Sequence, residues 1–351
     1  MGIYIQSAAQ ISIQKPLTDE WLQQPIEHTQ HHVRAIEPNF RDYLEAGESR
    51  RMGRIQKRAL ATALSALQQA QLDMPEAIIT GTGLGCVEST ERFLQAMVRS
   101  GEDFLQPTHF MQSTHNTIGS QIAVKLGCHG YNNTHVQDGV SFESALLDAL
   151  VNFETGRIRS ALVTANDELT PDYFALLGQL NYWKQEPITR QTLFNAQTPG
   201  AFAGEVSVAF VLQNSRNELS LCQIYALELL HRPSPEQLAS CLSLMLSDNN
   251  LTLSDIDAVM IGKSGDRDND AIYAQHAHLW GGRPMAWYKH LFGESFSASG
   301  LGLYAAIKCL QHKCLPSHMT LNGASISNPN CILMYNHFMN REHSLILLST
   351  C

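Results

Sequence analysis

Short strand-like apolar segments recur along this chain, separated by stretches whose apolar positions repeat with helical spacing. The strand patterns fall at Ile3–Gln6, Ala77–Thr80, Thr134–Gln137, Ala161–Thr164 and Val206–Leu212, then at Cys222–Leu227, Ala258–Ile261, Ile332–Tyr335 and Ser344–Leu348. The clearest helix pattern runs from Arg51 to about Gln71, with Met52, Ile55, Ala59, Ala63 and Leu67 along one side. Others cover Ser89–Ser100, Gly119–Leu126, Phe142–Glu154, Pro235–Ser247 and Ser299–Gln311. Ser234-Pro235-Glu236 has the chemistry of a helix start, and Gly127 and Gly156 stand where helices stop. Strands alternating with helices predict an α/β protein whose sheets are covered by helices. The polar break around Asn214–Glu218 separates two strand–helix series, so two halves are expected, residues 1–215 and 216–351.

One stretch poses a chemical question. THVQDGVSFESALLDAL, from Thr134 to Leu150, predicts a strand, an abrupt turn at Asp138-Gly139, and a helix with Phe142, Ala145, Leu146 and Ala149 on one face. Such a corner is where many enzymes mount a nucleophile, because helix N-terminal amides stabilise developing negative charge. Here the corner residue is Gly139.

Composition narrows the setting. The 351 residues are 44% hydrophobic and 16% charged, enough for a large folded core. No apolar run approaches the roughly 20 residues that span a bilayer. The start, MGIYIQSAAQISIQ, alternates like a strand and has no charged segment before an apolar core, unlike a secretory signal. Met1-Gly2 has Gln6 where a myristoylation site needs Ser or Thr. Eight cysteines without a C-x-x-C pair predict reduced thiols and a cytoplasmic protein. A net charge of −9 argues against nucleic-acid binding. His28, His31 and His32 cluster in EHTQHH but lack a second ligand group at metal spacing, so neither metal nor cofactor is expected.

From Ala77 to Glu168 the order of features resembles the β-ketoacyl synthases, condensing enzymes of the thiolase fold. AIITGTGLGCVEST is similar to their strand and "GSGxGG" turn. FMQSTHNTIGSQIAVKLGCHGYNNTHVQ is similar to "P(N)xxxGQIAxxxGxxGPxxT", with Asn116, Gln121, Ile122, Ala123, Gly127, Gly130 and Thr134 at matching places. GRIRSALVTANDEL resembles "GxxDxxxAGGxE", and GEVSVAFVLQ resembles "GEGAxxxVLE". The resemblance resumes in the second half and covers essentially the whole chain. It implies two similar α/β halves, each with a mixed five-stranded sheet, stacked as helix–sheet–helix–sheet–helix layers.

The family carries a cysteine at the elbow and histidines in "HGTGTxxND" and "KSxxGHxxGAAG". With Thr134, Ala145 and Gly156 holding the register, the cysteine place is Gly139. The second motif corresponds to GKSGDRDND, with Gly262 at the histidine place and Gly265, Asn269 and Asp270 matching. The third corresponds to KHLFGESFSASG; Lys289 matches, and Glu294 takes the histidine place. The family's "GFGG" corresponds to Met339-Asn340-Arg341-Glu342. Claisen condensation needs a nucleophile to carry the acyl thioester and imidazole donors for the enolate. A glycine can do neither, and an ionised Glu294 would repel an enolate. The resemblance therefore points to a chain length factor, a retired copy that pairs with an active ketosynthase and shapes its acyl tunnel. Its short length and the QSTHNT and FESALLDA phrases resemble the aryl polyene and flexirubin types.

That resemblance assigns further roles. The Thr134–Gln137 strand would form the heterodimer seam, Met111, Gln112, Ser113, Thr114 and His115 would face the partner, and Phe142 would help set the tunnel floor. Arg50, Arg51, Arg54, Lys57 and Arg58 are expected within about a third of the circumference of the first long helix. This basic face would suit an acidic acyl carrier protein, or would simply be solvated. Ser141 as a substitute nucleophile lacks a G-x-S-x-G context and is expected to bond backbone. Cys86 and Cys128 are expected to be buried and inert. TGTGLGC is expected to be a tight turn rather than a nucleotide loop, and Glu143, Asp148 and Glu154 to be ordinary exposed carboxylates. The rival reading is an active acyl-processing enzyme built on Ser141 or Glu294.

Overall fold

The architecture follows from which strands are apolar on both faces. The computed structural model describes residues 2–50, 52–101 and 105–351. Ten strands form its main sheet: β1 (Ile3–Ile11), β2 (Ala77–Gly81), β3 (Tyr131–His135), β4 (Ser160–Asp167), β5 (Val206–Gln213), β6 (Cys222–His231), β7 (Ala258–Ile261), β8 (Met285–Trp287), β9 (Cys331–Phe338) and β10 (Glu342–Ser349). Their order is β8-β7-β9-β10-β6-β1-β5-β4-β2-β3. The first five strands in sequence therefore make one side of the sheet and the last five the other, each in the same order outward from β1 or β6. β2, β4 and β7 are buried along their whole length, the signature of strands covered by helices on both faces. The two sets join edge to edge, antiparallel, through Ile3–Ile224, Tyr4–Gln223 and Ile5–Cys222.

The main helices are α1 (Arg54–Gln69), α2 (Val87–Ser100), α3 (Pro107–Ser113), α4 (Thr117–Leu126), α5 (Ser141–Glu154), α6 (Pro171–Gly178), α7 (Pro235–Asp248), α8 (Arg267–His276) and α9 (Ala298–Gln311). α5 and α9 lie in the central layer, touching strands of both sets and each other. Their apolar side chains merge with both sheets in one core that includes Phe142, Leu146, Phe210, Leu303 and Ile346. α1 and α4 cover the outer face of the first set, where Ile55, Ala59 and Ile122 pack on Ile78 and Leu162. α7 covers the outer face of the second set through Leu238, Leu242 and Leu246.

Three expectations need correction. The edge strand is Tyr131–His135 rather than Thr134–Gln137. It is polar on both faces because it has one neighbour only, and an unpaired edge is normally made unattractive to strangers. Glu143 is fully buried, since α5 sits between two sheets and has no solvent side. Asp148 is half-buried; Glu154 is exposed.

Candidate functional site

The elbow between β3 and α5 is a single turn of 3-10 helix, Asp138–Val140. Asp138, not Gly139, takes the left-handed conformation, at φ 47°. Gly139 is glycine for a different reason. A Cβ there would lie 2.5 Å from Cγ of Phe338 and 2.7 Å from its Cβ. Phe338, the last residue of β9, therefore occupies the space a nucleophile's side chain would need. Ser141 is fully buried and committed: its hydroxyl donates to the Asp138 carbonyl (2.7 Å) and accepts from the Gln137 amide (2.8 Å). Gln137 in turn accepts from the Ser144 hydroxyl (2.6 Å).

The second position is filled in the same way. A Cβ at Gly262 would sit 2.5 Å from the Tyr273 hydroxyl and closer still to Oδ1 of Asn336. Tyr273 donates to Asn336 Oδ1 (3.2 Å), and Asn336 donates to Glu143 (3.3 Å). Ser299 and Ser344 also donate to Glu143, at 2.9 and 3.0 Å. Burial pushes the Glu143 carboxyl above its ordinary range, against these hydrogen bonds. A closed polar network thus fills the region behind the elbow.

Glu294 stands at the third position, paired with Lys289 across 2.8 Å. Burial raises its carboxyl, opposed by the Lys289 ammonium. Both line an open cleft of about 610 Å³ with Tyr182, Asn269, His337 and Phe338. Met339 and Asn340 lie on its exposed rim. The neutral His337 is held by Asn269 and Asn340, which occupy both ring nitrogens. The cleft therefore offers a lysine–carboxylate pair and neutral polar groups, with Phe338 lining the wall that faces Gly139.

Sequence reasoning passed over Asp167. Its buried carboxylate accepts from the Thr82 hydroxyl (3.0 Å), the Gly83 amide (2.9 Å), the Leu84 amide (3.1 Å) and the Ser297 hydroxyl (2.5 Å). It fastens the TGTGLGC turn and ties the first half to the loop before α9. Of the two thiols expected to be buried, Cys86 is and Cys128 is not. Burial pushes Cys86 up to about 12, and half-buried Cys128 donates to the Pro75 carbonyl. His28 and His31 bond the carbonyls of Ile13 and Glu186, and His32 stacks on Phe174.

The surface candidates separate. Met111 and neighbouring Phe110 are exposed on α3, and Thr114 binds the Thr117 hydroxyl at 2.7 Å. Ser113 donates to the Phe110 carbonyl, Gln112 shares that helix, and the His115 ring packs under Gly85. Phe142 is fully buried against Phe210. The basic face breaks up. Arg50 is exposed but precedes α1, capping the short helix Ala46–Ser49; Arg51 lies outside the described residues. Arg54 is exposed and Lys57 half-buried. Arg58 is only 1% exposed and is ion-paired to Glu205, so it cannot meet a docking protein. Glu205 lies 147 positions away, a contact no helical wheel reveals.

Residues 19–228 match the family model for the β-ketoacyl synthase N-terminal domain, and the chain belongs to that family. A 146-residue stretch is 24% identical to 3-oxoacyl-[acyl-carrier-protein] synthase 2 of Staphylococcus aureus, covering 40% of this chain and 36% of that relative. Over its full length the chain superimposes on the ishigamide ketosynthase/chain length factor, with a TM-score of 0.82, 17% identity and 99% of that chain covered. A ketosynthase in complex with its chain length factor from Xenorhabdus doucetiae gives a TM-score of 0.78 at 15% identity, covering all of this chain and 98% of that one. The fold is the thiolase fold.

Proposed function

We propose that this chain is a non-catalytic chain length factor that pairs with an active β-ketoacyl-[acyl-carrier-protein] synthase in type II fatty acid or polyketide assembly, of the aryl polyene or flexirubin kind. The observation that carries this reading is Phe338 packed where a nucleophile at position 139 would stand. A thioester cannot form without a side chain there, and the two histidine places hold Gly262 and Glu294. The exposed edge of β3, with the flanking Met111–His115 segment, suits a partner strand, and Arg50, Arg54 and Lys57 remain as a reduced docking patch for an acidic carrier. No described helix is long and apolar enough to cross a membrane; a cytoplasmic location is part of the proposal.

Co-expression with a ketosynthase encoded beside it tests the pairing. A stable heterodimer that makes products, in which Phe142→Ala lengthens them, is the expected result; a chain that remains unpaired would defeat the reading. The open cleft and its Lys289–Glu294 pair favour one rival, an acyl-processing enzyme. Incubation of the isolated chain with acyl- and malonyl-carrier substrates separates the two, since covalent acylation seen by mass spectrometry would require a working site.

A further inference from the structure

A second cleft, of about 320 Å³, opens between the start of α1, the first turns of α2 and the turn entering α6. Several groups along it are bonded to one another, although Glu91 and Asp172 keep their charge, being met only by neutral donors. Arg92 pairs with Glu88, Thr170 donates to Glu91, and Gln95 donates to Asp172. Glu205 takes Arg58 and the amides of Ala35 and Leu169. Two cationic groups, Arg34 and Arg54, are left over. Arg34 and Arg54 line the cleft and are exposed, and neither has an ion-pair partner among the described residues. Arg58 lies behind the floor, bonded to Glu205 and within electrostatic reach of Glu168, both of which line the cleft. Its Nε and Nη2 are buried without any partner. A buried guanidinium with two orphaned donors is costly unless an acceptor reaches it.

The remaining floor group, Glu168, accepts the Glu88 amide at 3.0 Å. Burial pushes its carboxyl up to about 7, with Arg58 opposing and Glu205 and Glu88 reinforcing. In its neutral form it presents a hydroxyl rather than a negative charge.

We propose that this cleft is a binding site for a small oxyanion, the phosphate or carboxylate group of a small molecule, held by Arg34 and Arg54 at the mouth and drawn by Arg58 from beneath. This site is separate from the altered condensing centre and does not depend on a ketosynthase partner. Binding takes up a proton at Glu168, because the neutral carboxyl can donate to the anion and the ionised one repels it. The affinity must therefore rise as pH falls through the range in which Glu168 titrates.

Calorimetric titration of the full chain tests this with inorganic phosphate and with succinate, each against chloride at matched ionic strength. Sulfate, whose charge is constant over the range, serves for the comparison between about pH 6 and about pH 8. Saturable binding is expected, weakened about tenfold in Arg34→Gln and in Arg54→Gln, the size of one lost charge-assisted hydrogen bond. Glu168→Gln should bind at the higher pH as tightly as the parent does at the lower. Preference for phosphate identifies a phosphate ester as the ligand class, and preference for succinate a carboxylate. Absence of saturable binding, indifference to both arginine substitutions in chains that unfold normally, or tighter sulfate binding at higher pH would each overturn the site.

Discussion

Replacing Gly139 by alanine isolates the claim that Phe338 closes the elbow. The new methyl would sit 2.5 Å from Cγ and 2.7 Å from Cβ of Phe338. Turning the ring toward the cleft relieves the first contact but not the second, because Cβ moves only with the backbone of β9. The φ of Gly139 lies outside the left-handed region, so the cost is steric and not conformational. Overpacking of this kind costs about 1–3 kcal/mol, and the fixed Cβ places Gly139→Ala toward the upper end. Phe338→Ala alone should cost about 1–2 kcal/mol, less than a fully buried phenylalanine, because the residue is only partly buried. In the double variant the ring is gone and only the Cβ contact remains, so the two losses should fall short of additivity by about 1 kcal/mol. Urea unfolding of the four proteins measures this directly. Strict additivity, or a Gly139→Ala protein as stable as the parent, would refute the sealed elbow. Gly139→Cys carries the same penalty and should take up no acyl group.

Three further outcomes follow from the buried polar groups. His276 and His343 both contact the Tyr335 hydroxyl, at 2.8 and 2.9 Å, and burial holds His343 down at about 4. Its unfolded value is near 6.5, so this histidine supports the fold above that pH and withdraws about 3 kcal/mol as pH falls toward 4. Thermal unfolding should show the loss, and Tyr335→Phe should destabilise by about 1–3 kcal/mol at neutral pH by leaving imidazole nitrogens unbonded. Glu205→Gln should cost about 3–5 kcal/mol by stranding the buried Arg58, whereas joint replacement of Arg58 and Glu205 by Met and Leu should cost less; equal losses would contradict the pairing.

The regular part of the fold was legible because central strands and helices carry their environment in their pattern. β7 was predicted with its observed bounds, and α5, α7 and α9 to within a residue or two. β3 was displaced because an edge strand is written in polar residues, and β8 was missed at three residues. α8 begins in RDND, a turn-like composition rescued by an Asp266 cap and by burial of Tyr273 and His276. At the site, position-by-position register picks out Gly139, Gly262 and Glu294 as candidates, but not what fills the space around them. Phe338, Asn336 and Tyr273 come from distant parts of the chain, and no local rhythm records such contacts. Helical geometry likewise put Arg58 with Arg54, and only the folded Glu205 shows that it points inward.

The composition of β3 also bears on how the chain behaves in solution. Tyr131, Asn133 and His135 all bond Asp148, at 3.0, 3.1 and 2.9 Å, so the outermost strand is stiffened from its own side. A rim of this kind resists sticking to unrelated strands. The isolated chain should thus stay dispersed in solution and not form fibres.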